Sequence, residues 1–441
     1  MTEHTDYLQT IKSVRETNSF VKKLLEKNEL VNFNVDLTQL DRVVDYVANT
    51  IRGSFPTEED FLKIPIHGRW QHFEVGEIPR ISKLIENEWS GLDNMSICKK
   101  LIDIFIVSVL LDAGAGNEWE FEENGVKYGR SEGIAVASLH MFKNGIFSSD
   151  PSDPFKVNGS ALAQLTEESL AKGFQVGPGN SIVGFDGRLK LLRTLGQTLC
   201  SNQTIFGTDG RPSNIVDYLI SLPDTKKVSG VFTVDLQQLW WCLMTGLSPI
   251  WPEEGRIKVE GKTIGDAWFS KAKSREVGTG NQEEWKKVVT FHKLTQWLTY
   301  SLFLPLQKYG GVKIEHAELM TGLPEYRNGG LFYDFGVISL NKDALDLGLD
   351  RSKRNGSDES IPTFTPESDV IVEWRSCTIS LLDMLLPLVN DKLKVTGTKY
   401  ELSLPQLIEA GSWKSGRLIA KELRPGTGGP PIELEADGTV F

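Results

Sequence analysis

One predicted helix places three polar side chains capable of chemistry on a single face. Residues 290–300 have a helical pattern in which Lys293, Gln296 and Tyr300 fall at i, i+3 and i+7. A cation, an amide and a phenol stand where a core helix would carry leucine or isoleucine. Because buried polar groups must be paired with each other or with a ligand, this face indicates a binding surface. The alternative is a solvated helix face.

A second polar segment, residues 323–332, adds a carboxylate and a guanidinium in a glycine-rich turn. Glu325, Tyr326 and Arg327 stand just before Gly329 and Gly330. Aromatic residues flank both polar segments, which favours groups shielded from solvent over simple exposure. The alternative is a structural turn.

Asp266 lies two residues before Trp268. Burial near an aromatic ring raises the pKa of a carboxyl group, whereas a nearby cation such as Lys293 lowers it. A carboxylate kept ionised in a partly dry pocket stabilises an oxocarbenium-like transition state at a sugar C1. Asp266 is therefore a candidate for chemistry at a glycosidic carbon.

Residues 67–74 are rich in side chains that bind metals or substrates. His67 and His72 are five residues apart, which suits neither metal ligation on a helix nor a known zinc motif, so we predict no metal site. Arg69, Trp70 and His72 are candidate substrate contacts. A turn pinned by hydrogen bonds is the alternative.

Two further acidic residues are candidate contacts. Asp112 precedes the small residues 113–116 after an apolar helix, a pattern that permits a tight helix exit. The segment lacks the lysine of a phosphate-binding loop, which disfavours a nucleoside triphosphate. Glu132, within residues 130–133, belongs either to an ion-paired turn or to the polar wall of a pocket.

Composition limits the possible partners. The chain has 441 residues and a formal net charge of −11, which disfavours nucleic acid and acidic membrane surfaces as partners. Its four cysteines are scattered and its N-terminus is polar, so we expect a reduced protein of the cytoplasm or nucleus. No cofactor is required, and the expected partner is a small molecule.

The pattern of apolar residues predicts a mainly α protein, or an α-rich α+β protein with a minor sheet. A hairpin is predicted within 119–129 because Asn124 and Gly125 favour a tight turn. The predicted helices are residues 6–28, 37–51 (capped by Asp36), 97–111, 160–172, 188–199, 234–247, 285–304, 370–393 and 404–423.

We expect one large domain, residues 1–441, with an N-terminal helical lobe at 1–55. Residues 350–366 are charged and rich in Ser and Gly, which predicts a flexible loop. The tail, residues 424–441, is expected to pack on the core through its apolar end at 439–441. Arg417 and Arg424 precede glycines that allow close approach of an anion, so they are candidate phosphate ligands, the alternative being a flexible terminus.

Long motifs of this chain resemble the uracil catabolism protein 4 family, whose members are tied to a pathway that converts uracil to urea. The resemblance covers nearly the whole chain and rests on residues 67–70, 111–116, 130–133, 291–300 and 323–330.

A remoter resemblance links the order of motifs to queuosine salvage glycohydrolases, which cleave a base from ribose and have a helical core like that of DNA glycosylases. The corresponding segments here are residues 188–196, 265–266, 291–296 and 324–327. His292, Leu294 and Glu325 depart from that family's Tyr, Arg and Asp. The resemblance implies catalytic roles for Asp266, Lys293 and Glu325, but because of these departures it does not carry over the base specificity. We further expect substrate contacts from residues of these segments and their neighbours, namely Trp268, His292, Gln296, Tyr326 and Arg327.

Two functions follow as hypotheses. The first is hydrolysis of an N-ribosidic bond in a ribosylated intermediate of uracil breakdown, with or without a 5′-phosphate, such as ribosylurea. Asp266 would stabilise charge at C1 or position water, Glu325 would bind ribose hydroxyls or act as acid or base, and Lys293 would keep Asp266 ionised or contact the leaving group. The alternative is a non-catalytic partner or regulator of another enzyme of the pathway.

Overall fold

The structure is a computed structural model that describes residues 3–112, 114–116, 118–251, 253–278 and 283–435. Helices make up 58% of the structure and strands 10%, and the sheets are small and scattered. This confirms the predicted mainly α class. The resemblance to a DNA-glycosylase core stays a prediction.

The α-helices of the described residues are numbered along the chain. They are α1 (Glu3–Leu8), α2 (Ile11–Asn18), α3 (Phe20–Lys27), α4 (Leu40–Ser54), α5 (Glu58–Phe61), α6 (Arg69–Phe73), α7 (Arg80–Glu88), α8 (Asn94–Leu110), α9 (Arg130–Lys143), α10 (Gly159–Ala163), α11 (Glu167–Gly173), α12 (Phe185–Ser201), α13 (Gln203–Phe206), α14 (Ile215–Ser221), α15 (Leu236–Gly246), α16 (Lys271–Val277), α17 (Lys293–Lys308), α18 (Tyr326–Asp334), α19 (Lys342–Asn355), α20 (Asp369–Leu393), α21 (Leu404–Leu407) and α22 (Trp413–Leu423). A π-helical segment, Ile408–Ser412, joins the last two.

The strands are short and pair in small sheets. They are β1 (Phe33–Val35), β2 (Glu120–Glu123), β3 (Val126–Gly129), β4 (Lys226–Val228), β5 (Val231–Asp235), β6 (Lys258–Val259), β7 (Lys262–Thr263), β8 (Ala267–Phe269), β9 (Val288–Thr290), β10 (Val312–Glu315), β11 (Ile338–Leu340), β12 (Thr363–Phe364) and β13 (Glu433–Leu434). One sheet has three strands in the order β10-β5-β4, and the others are pairs: β1-β11, β2-β3, β6-β7, β8-β9 and β12-β13.

The described chain divides into two compact units, each built from segments distant in sequence. Unit 1 contains residues 3–67, 253–278, 283–293 and 319–435, and unit 2 contains residues 68–112, 114–116, 118–251 and 294–318. Neither unit is a continuous stretch, so the N-terminal 55 residues belong to a larger body. The prediction of one domain over 1–441 stays a prediction.

Unit 1 is organised around the long helix α20, which contacts α2, α3, α4 and α18. Leu40, Val43, Val44 and Val47 form the buried stripe of α4, as the helical spacing predicted. Asp36 accepts a hydrogen bond from the backbone N–H of Thr38, in the short 3₁₀ turn that precedes α4, which confirms it as a cap.

Unit 2 is organised around α8, which is apolar on nearly every face and contacts α6 and α9. The predicted hairpin is confirmed as β2-β3, and its turn residues Asn124 and Gly125 have φ of 52° and 80°. Positive φ at both central residues is what a two-residue hairpin turn requires. None of the helices in either unit is long and apolar enough to cross a membrane, within the residues described.

Four predictions of local structure need correction. The predicted helix 6–28 is three helices, α1 to α3. Thr10 leaves the helix to cap the N–H of Ser13 and start α2, and Ser19 separates α2 from α3. The predicted helix 160–172 is two helices, α10 and α11, because Thr166 caps the N–H of Ser169 and starts α11. The predicted helix 285–304 starts later, at Lys293, because residues 288–290 pair as β9. The segment 350–366 is not a loop throughout, since it includes the end of α19 and strand β12.

The tail is ordered on unit 1 through residue 435. Strand β13 pairs in parallel with β12, and Ile432 is fully buried. The expectation that the whole tail packs on the core stays a prediction, and its predicted apolar anchor at 439–441 lies outside the described residues.

Candidate active site

Asp266 is held in unit 1 by four hydrogen bonds that use both carboxylate oxygens. Oδ1 accepts from Nη1 of Arg375 at 2.8 Å and from Nε1 of Trp268 at 2.9 Å. Oδ2 accepts from Nη2 of Arg375 at 2.7 Å and from the backbone N–H of Lys293 at 2.9 Å. The turn before β8 and the start of α17 are therefore fixed to one carboxylate.

Arg375 keeps Asp266 ionised. Burial raises the pKa of Asp266, but the Arg375 guanidinium and the hydrogen bonds outweigh it and hold that pKa well below its usual range. The cation that pairs with Asp266 is thus Arg375 in α20, 109 positions away, and Lys293 contributes its backbone N–H. The sequence pointed to Lys293 for this charge and missed Arg375.

Arg375 also reaches two other segments of unit 1. Its guanidinium lies 4.0 Å from the ring centroid of Phe291, and its Nε donates to the carbonyl of Pro324 at 3.3 Å. Pro324 directly precedes Glu325. One arginine therefore connects the Asp266 turn, the segment before α17 and the turn before α18.

The backbone before α17 bends sharply at His292, whose φ is 44°. The N–H groups of Phe291 and His292 both donate to the carbonyl of Asp266, at 2.9 and 3.1 Å. Nε2 of His292 lies 2.7 Å from the carbonyl of Leu8, and burial lowers the pKa of this imidazole. His292 was predicted to contact substrate, and the structure gives it a buried place that links α17 to α1.

Gln296 and Tyr300 are 0% and 1% exposed, so the alternative of a solvated helix face is wrong for them. They belong to unit 2, whereas Lys293, the first residue of the helix, belongs to unit 1. The prediction that all three share a pocket with Glu325 stays a prediction.

Glu325 is the N-cap of α18. Its carboxylate accepts from the backbone N–H groups of Arg327 at 2.8 Å and of Asn328 at 2.6 Å. Burial raises its pKa, and these hydrogen bonds and the charge of Lys293 offset that rise only in part. Glu325 is nevertheless partly exposed. It therefore combines a raised pKa with accessibility, which suits a general acid or base.

Tyr326 and Arg327 open α18 beside Glu325. Tyr326 is 39% exposed, and the Arg327 guanidinium lies 4.9 Å from its ring centroid. Nη1 of Arg327 donates to the carbonyl of Gly428 at 2.7 Å, which ties α18 to the tail. Substrate contact by either residue stays a prediction.

The two arginines predicted to bind phosphate, Arg417 and Arg424, contact different residues. Arg424 forms a two-pronged ion pair with Asp334, with distances of 2.9 and 2.5 Å, and donates to Gly429 through Nε. Arg417 lies 5.7 Å from the ring centroid of Trp413. The phosphate role stays a prediction, and for Arg424 the carboxylate of Asp334 competes with it.

Unit 2 holds the predicted contacts from residues 67–74. Arg69 is completely buried, and it donates to Ser108 through Nε at 2.9 Å and to Asp112 through Nη1 at 2.7 Å. Trp70 stacks near Tyr309 at 6.5 Å.

His72 and Glu132 also lie in unit 2. The His72 ring meets Trp297 edge-on at 5.4 Å. Glu132 lies in the first turn of α9 and is partly buried, so both interpretations of that turn stay open.

Arg188 is a second buried arginine of unit 2 that we did not predict as a site residue. It donates to the carbonyls of Leu111 at 3.1 Å and Gly114 at 3.2 Å and to that of Val183. Burial lowers its pKa to about 10, although the charge of Asp112 opposes this. Arg375 stands within the apolar sequence of α20, and that is the signal that could have found it.

The described residues contain no group of three His, Cys, Asp or Glu side chains placed to hold a metal ion. Unit 1 instead offers a rigid ionised pair, Asp266–Arg375, beside an accessible carboxyl group with a raised pKa. Such an arrangement can move a proton at Glu325 while its surroundings stay fixed.

Comparison with known proteins gives consistent matches along the chain. The family described as "Protein of unknown function (DUF1688)" matches residues 7–441. Uracil catabolism protein 4 of Lachancea kluyveri is 49% identical over 444 aligned positions, covering 99% of this chain and 98% of that protein. Protein urg3 of Schizosaccharomyces pombe is 43% identical over 441 positions, covering 100% of both chains. The chain therefore belongs to the DUF1688 family and is related over nearly its whole length to uracil catabolism protein 4.

Proposed function

We propose that this protein takes part in uracil catabolism and hydrolyses an N-ribosidic bond in a ribosylated intermediate, with or without a 5′-phosphate, such as ribosylurea. The name of the Lachancea kluyveri relative supports the pathway. The observation that carries the reaction is Glu325, a partly exposed carboxyl group whose pKa burial raises.

Glu325 acts as the general acid in this proposal. The oxygen of water bonds to C1 of ribose while the C1–N bond breaks and its electron pair goes to the leaving nitrogen. Glu325 gives its proton to that nitrogen and recovers one from the attacking water, so the net products are ribose and urea or a base. Urea is a poor leaving group unless it is protonated, so proton donation is the step that the residue must supply.

Asp266 has a positioning role here rather than direct contact with the sugar. All four of its hydrogen bonds come from donors of the protein itself, so it fixes the start of α17 at Lys293. Through Arg375 and Pro324 the same carboxylate holds the turn that presents Glu325. The charge of Lys293 acts on Glu325, and in this proposal Lys293 also contacts the leaving group.

The test is incubation of the purified protein with ribosylurea, uridine and their 5′-phosphates, with released ribose, urea and base measured. We expect turnover of at least one substrate and a loss of at least ~100-fold in Glu325→Gln, which removes the acid but stays nearly isosteric. If the wild-type protein releases nothing from any of the four, the hydrolase proposal is wrong and the non-catalytic role remains.

Asp93→Asn is the matched control because Asp93 is also a carboxylate N-cap, accepting from the N–H of Ser96 at 2.9 Å at the start of α8. It is exposed, and it belongs to unit 2, whereas Glu325 belongs to unit 1. We expect Asp93→Asn to keep wild-type turnover. An equal loss in both variants would show that Glu325 matters only as a helix cap.

A further inference from the structure

Arg69 carries an unused hydrogen-bond donor in the interior of unit 2. Its Nε and Nη1 donate to Ser108 and Asp112, but Nη2 has no partner among the described residues, although the side chain is completely buried. A buried guanidinium N–H without an acceptor is costly, so this position favours any group that supplies one.

Asp112 places an acceptor beside that donor. The hydrogen bond from Arg69 uses Oδ2 of Asp112 and leaves Oδ1 outside it. The Asp112 side chain is 10% exposed, and Gly114, which follows within the same turn, is exposed and has no side chain to cover it. The pair therefore offers the buried N–H groups of Nη2 together with a carboxylate whose side chain is 10% exposed.

The charges here disfavour an anion as the ligand. The carboxylate of Asp112 lies next to the unused donor and would repel a phosphate. The second buried arginine, Arg188, directs its guanidinium to the carbonyls of Leu111 and Gly114, which follow α8, and of Val183, which precedes α12. A neutral group with one acceptor and one donor fits better than a negative one.

We propose that Arg69 and Asp112 bind the –NH–C(=O)– edge of a small molecule that carries a ureido or cyclic imide group. The ligand's carbonyl oxygen accepts from Nη2 of Arg69, and its N–H donates to Asp112. The site lies within unit 2, and it rests on the proposed function only for the choice of ribosides as probes.

The test measures binding by calorimetry in the Glu325→Gln protein, so that probes stay intact. Ribosylurea presents an acyclic ureido group and uridine a cyclic imide, while ribose lacks both and inorganic phosphate tests for an anion site. We expect Arg69→Lys to weaken the affinity for the preferred probe by roughly 10- to 100-fold. Lysine keeps the positive charge but lacks the planar guanidinium group with its paired N–H donors. Binding of ribose should not change.

Arg211→Lys is the matched control. Arg211 also pairs with a buried aspartate of unit 2, Asp103, at 2.8 Å. Asp103 additionally accepts from the N–H groups of Ser213 and Val157, so this pair presents a satisfied carboxylate. We expect the affinity of Arg211→Lys for the probes to stay within about twofold of the parent protein, because the Arg211 pair shares no partner with the Arg69 pair.

A folding control keeps the test decisive if Arg69→Lys is unstable. The double variant Arg69→Met with Asp112→Leu removes both charges together, which avoids an unpaired buried ion. It should melt close to the parent protein and lose binding as Arg69→Lys does.

Unchanged affinity in both Arg69→Lys and the double variant would overturn the site. Tight phosphate binding that depends on Arg69 would also overturn it in favour of an anion site. Turnover without Arg69-dependent binding rejects this inference alone, and Arg69-dependent binding without turnover rejects the hydrolase alone.

Discussion

Each compact unit contains a buried arginine–aspartate pair, and the two pairs differ in how fully their polar atoms are used. In unit 1, Arg375 grips both oxygens of Asp266, which also accept from Trp268 and Lys293. In unit 2, Arg69 reaches one oxygen of Asp112 with one nitrogen, and its Nη2 has no partner within the described chain. We call the first pair closed, because both carboxylate oxygens accept from donors of the protein, and the second pair open, because Nη2 of its arginine has no acceptor among the described residues.

The difference separates positioning from recognition. A closed pair has no donor or acceptor left for a ligand, so its contribution is to hold three segments of unit 1 together. An open pair keeps hydrogen-bonding capacity that a ligand can use. Burial of an arginine alone therefore does not identify a binding site, whereas an unsatisfied atom on it does.

The largest effect is expected when the closed pair is broken. Asp266→Asn leaves Arg375 buried without its counter-charge and sets an amide N–H₂ against a donor, so stability should fall by about 3–5 kcal/mol. Denaturant unfolding measures this, and the paired change Asp266→Leu with Arg375→Met should recover much of the loss. A loss below about 1 kcal/mol would contradict a closed, structural pair.

Breaking the open pair should reduce the stability of the protein by less than breaking the closed pair does. In Asp112→Asn the amide oxygen can still accept from Arg69 while the amide N–H₂ turns to the exposed edge, so the expected loss is about 1–3 kcal/mol. The same unfolding measurement applies. If Asp112→Asn costs as much as Asp266→Asn, the distinction between the two pairs is wrong.

A third pair sharpens the comparison by its exposure. Arg424 donates hydrogen bonds to both oxygens of Asp334, as Arg375 does to both oxygens of Asp266. The side chain of Arg424 is 18% exposed, whereas that of Arg375 is 4% exposed. Arg424→Ala should therefore destabilise the protein by about 1–2 kcal/mol, less than Asp266→Asn. The same variant tests the predicted phosphate role of Arg424: a clear change in the preference between riboside and riboside 5′-phosphate supports that role, and an unchanged preference removes Arg424 as a phosphate ligand.

The smallest expected effect is a change with pH in the stability that the closed pair contributes. The folded-state pKa of Asp266 is lowered, so its contribution is present above the unfolded value of about 3.9 and is lost as pH falls towards the folded value. The stability gap between the wild-type protein and Asp266→Asn should thus narrow below about pH 4. A gap that is constant down to the acid transition would mean that the charge of Asp266 does not matter.

Glu325 provides a pH test of opposite sign. Its raised pKa keeps it protonated to higher pH, so turnover that needs a general acid should fall as pH rises through that pKa. A profile that rises over the same range would make Glu325 a general base.

Local patterns decided much of the secondary structure. The spacing of Leu40, Val43, Val44 and Val47 predicted α4, and Asn124 with Gly125 predicted the β2-β3 turn, because both depend on residues close in sequence. The break between α1 and α2 was missed because Thr10 can serve as a cap or as a helix residue, and packing selects between them.

By itself, the sequence determined the mainly α class, the family, and the residue types available for chemistry at Asp266, Lys293 and Glu325. Only the tertiary structure decided which cation pairs with which carboxylate. Arg375 is 109 residues from Asp266, and Arg69 is 43 from Asp112, distances over which helical spacing carries no information. Whether such a pair is closed or open depends on how many donors the fold brings to one carboxylate. That number is set by long-range packing and not by local pattern.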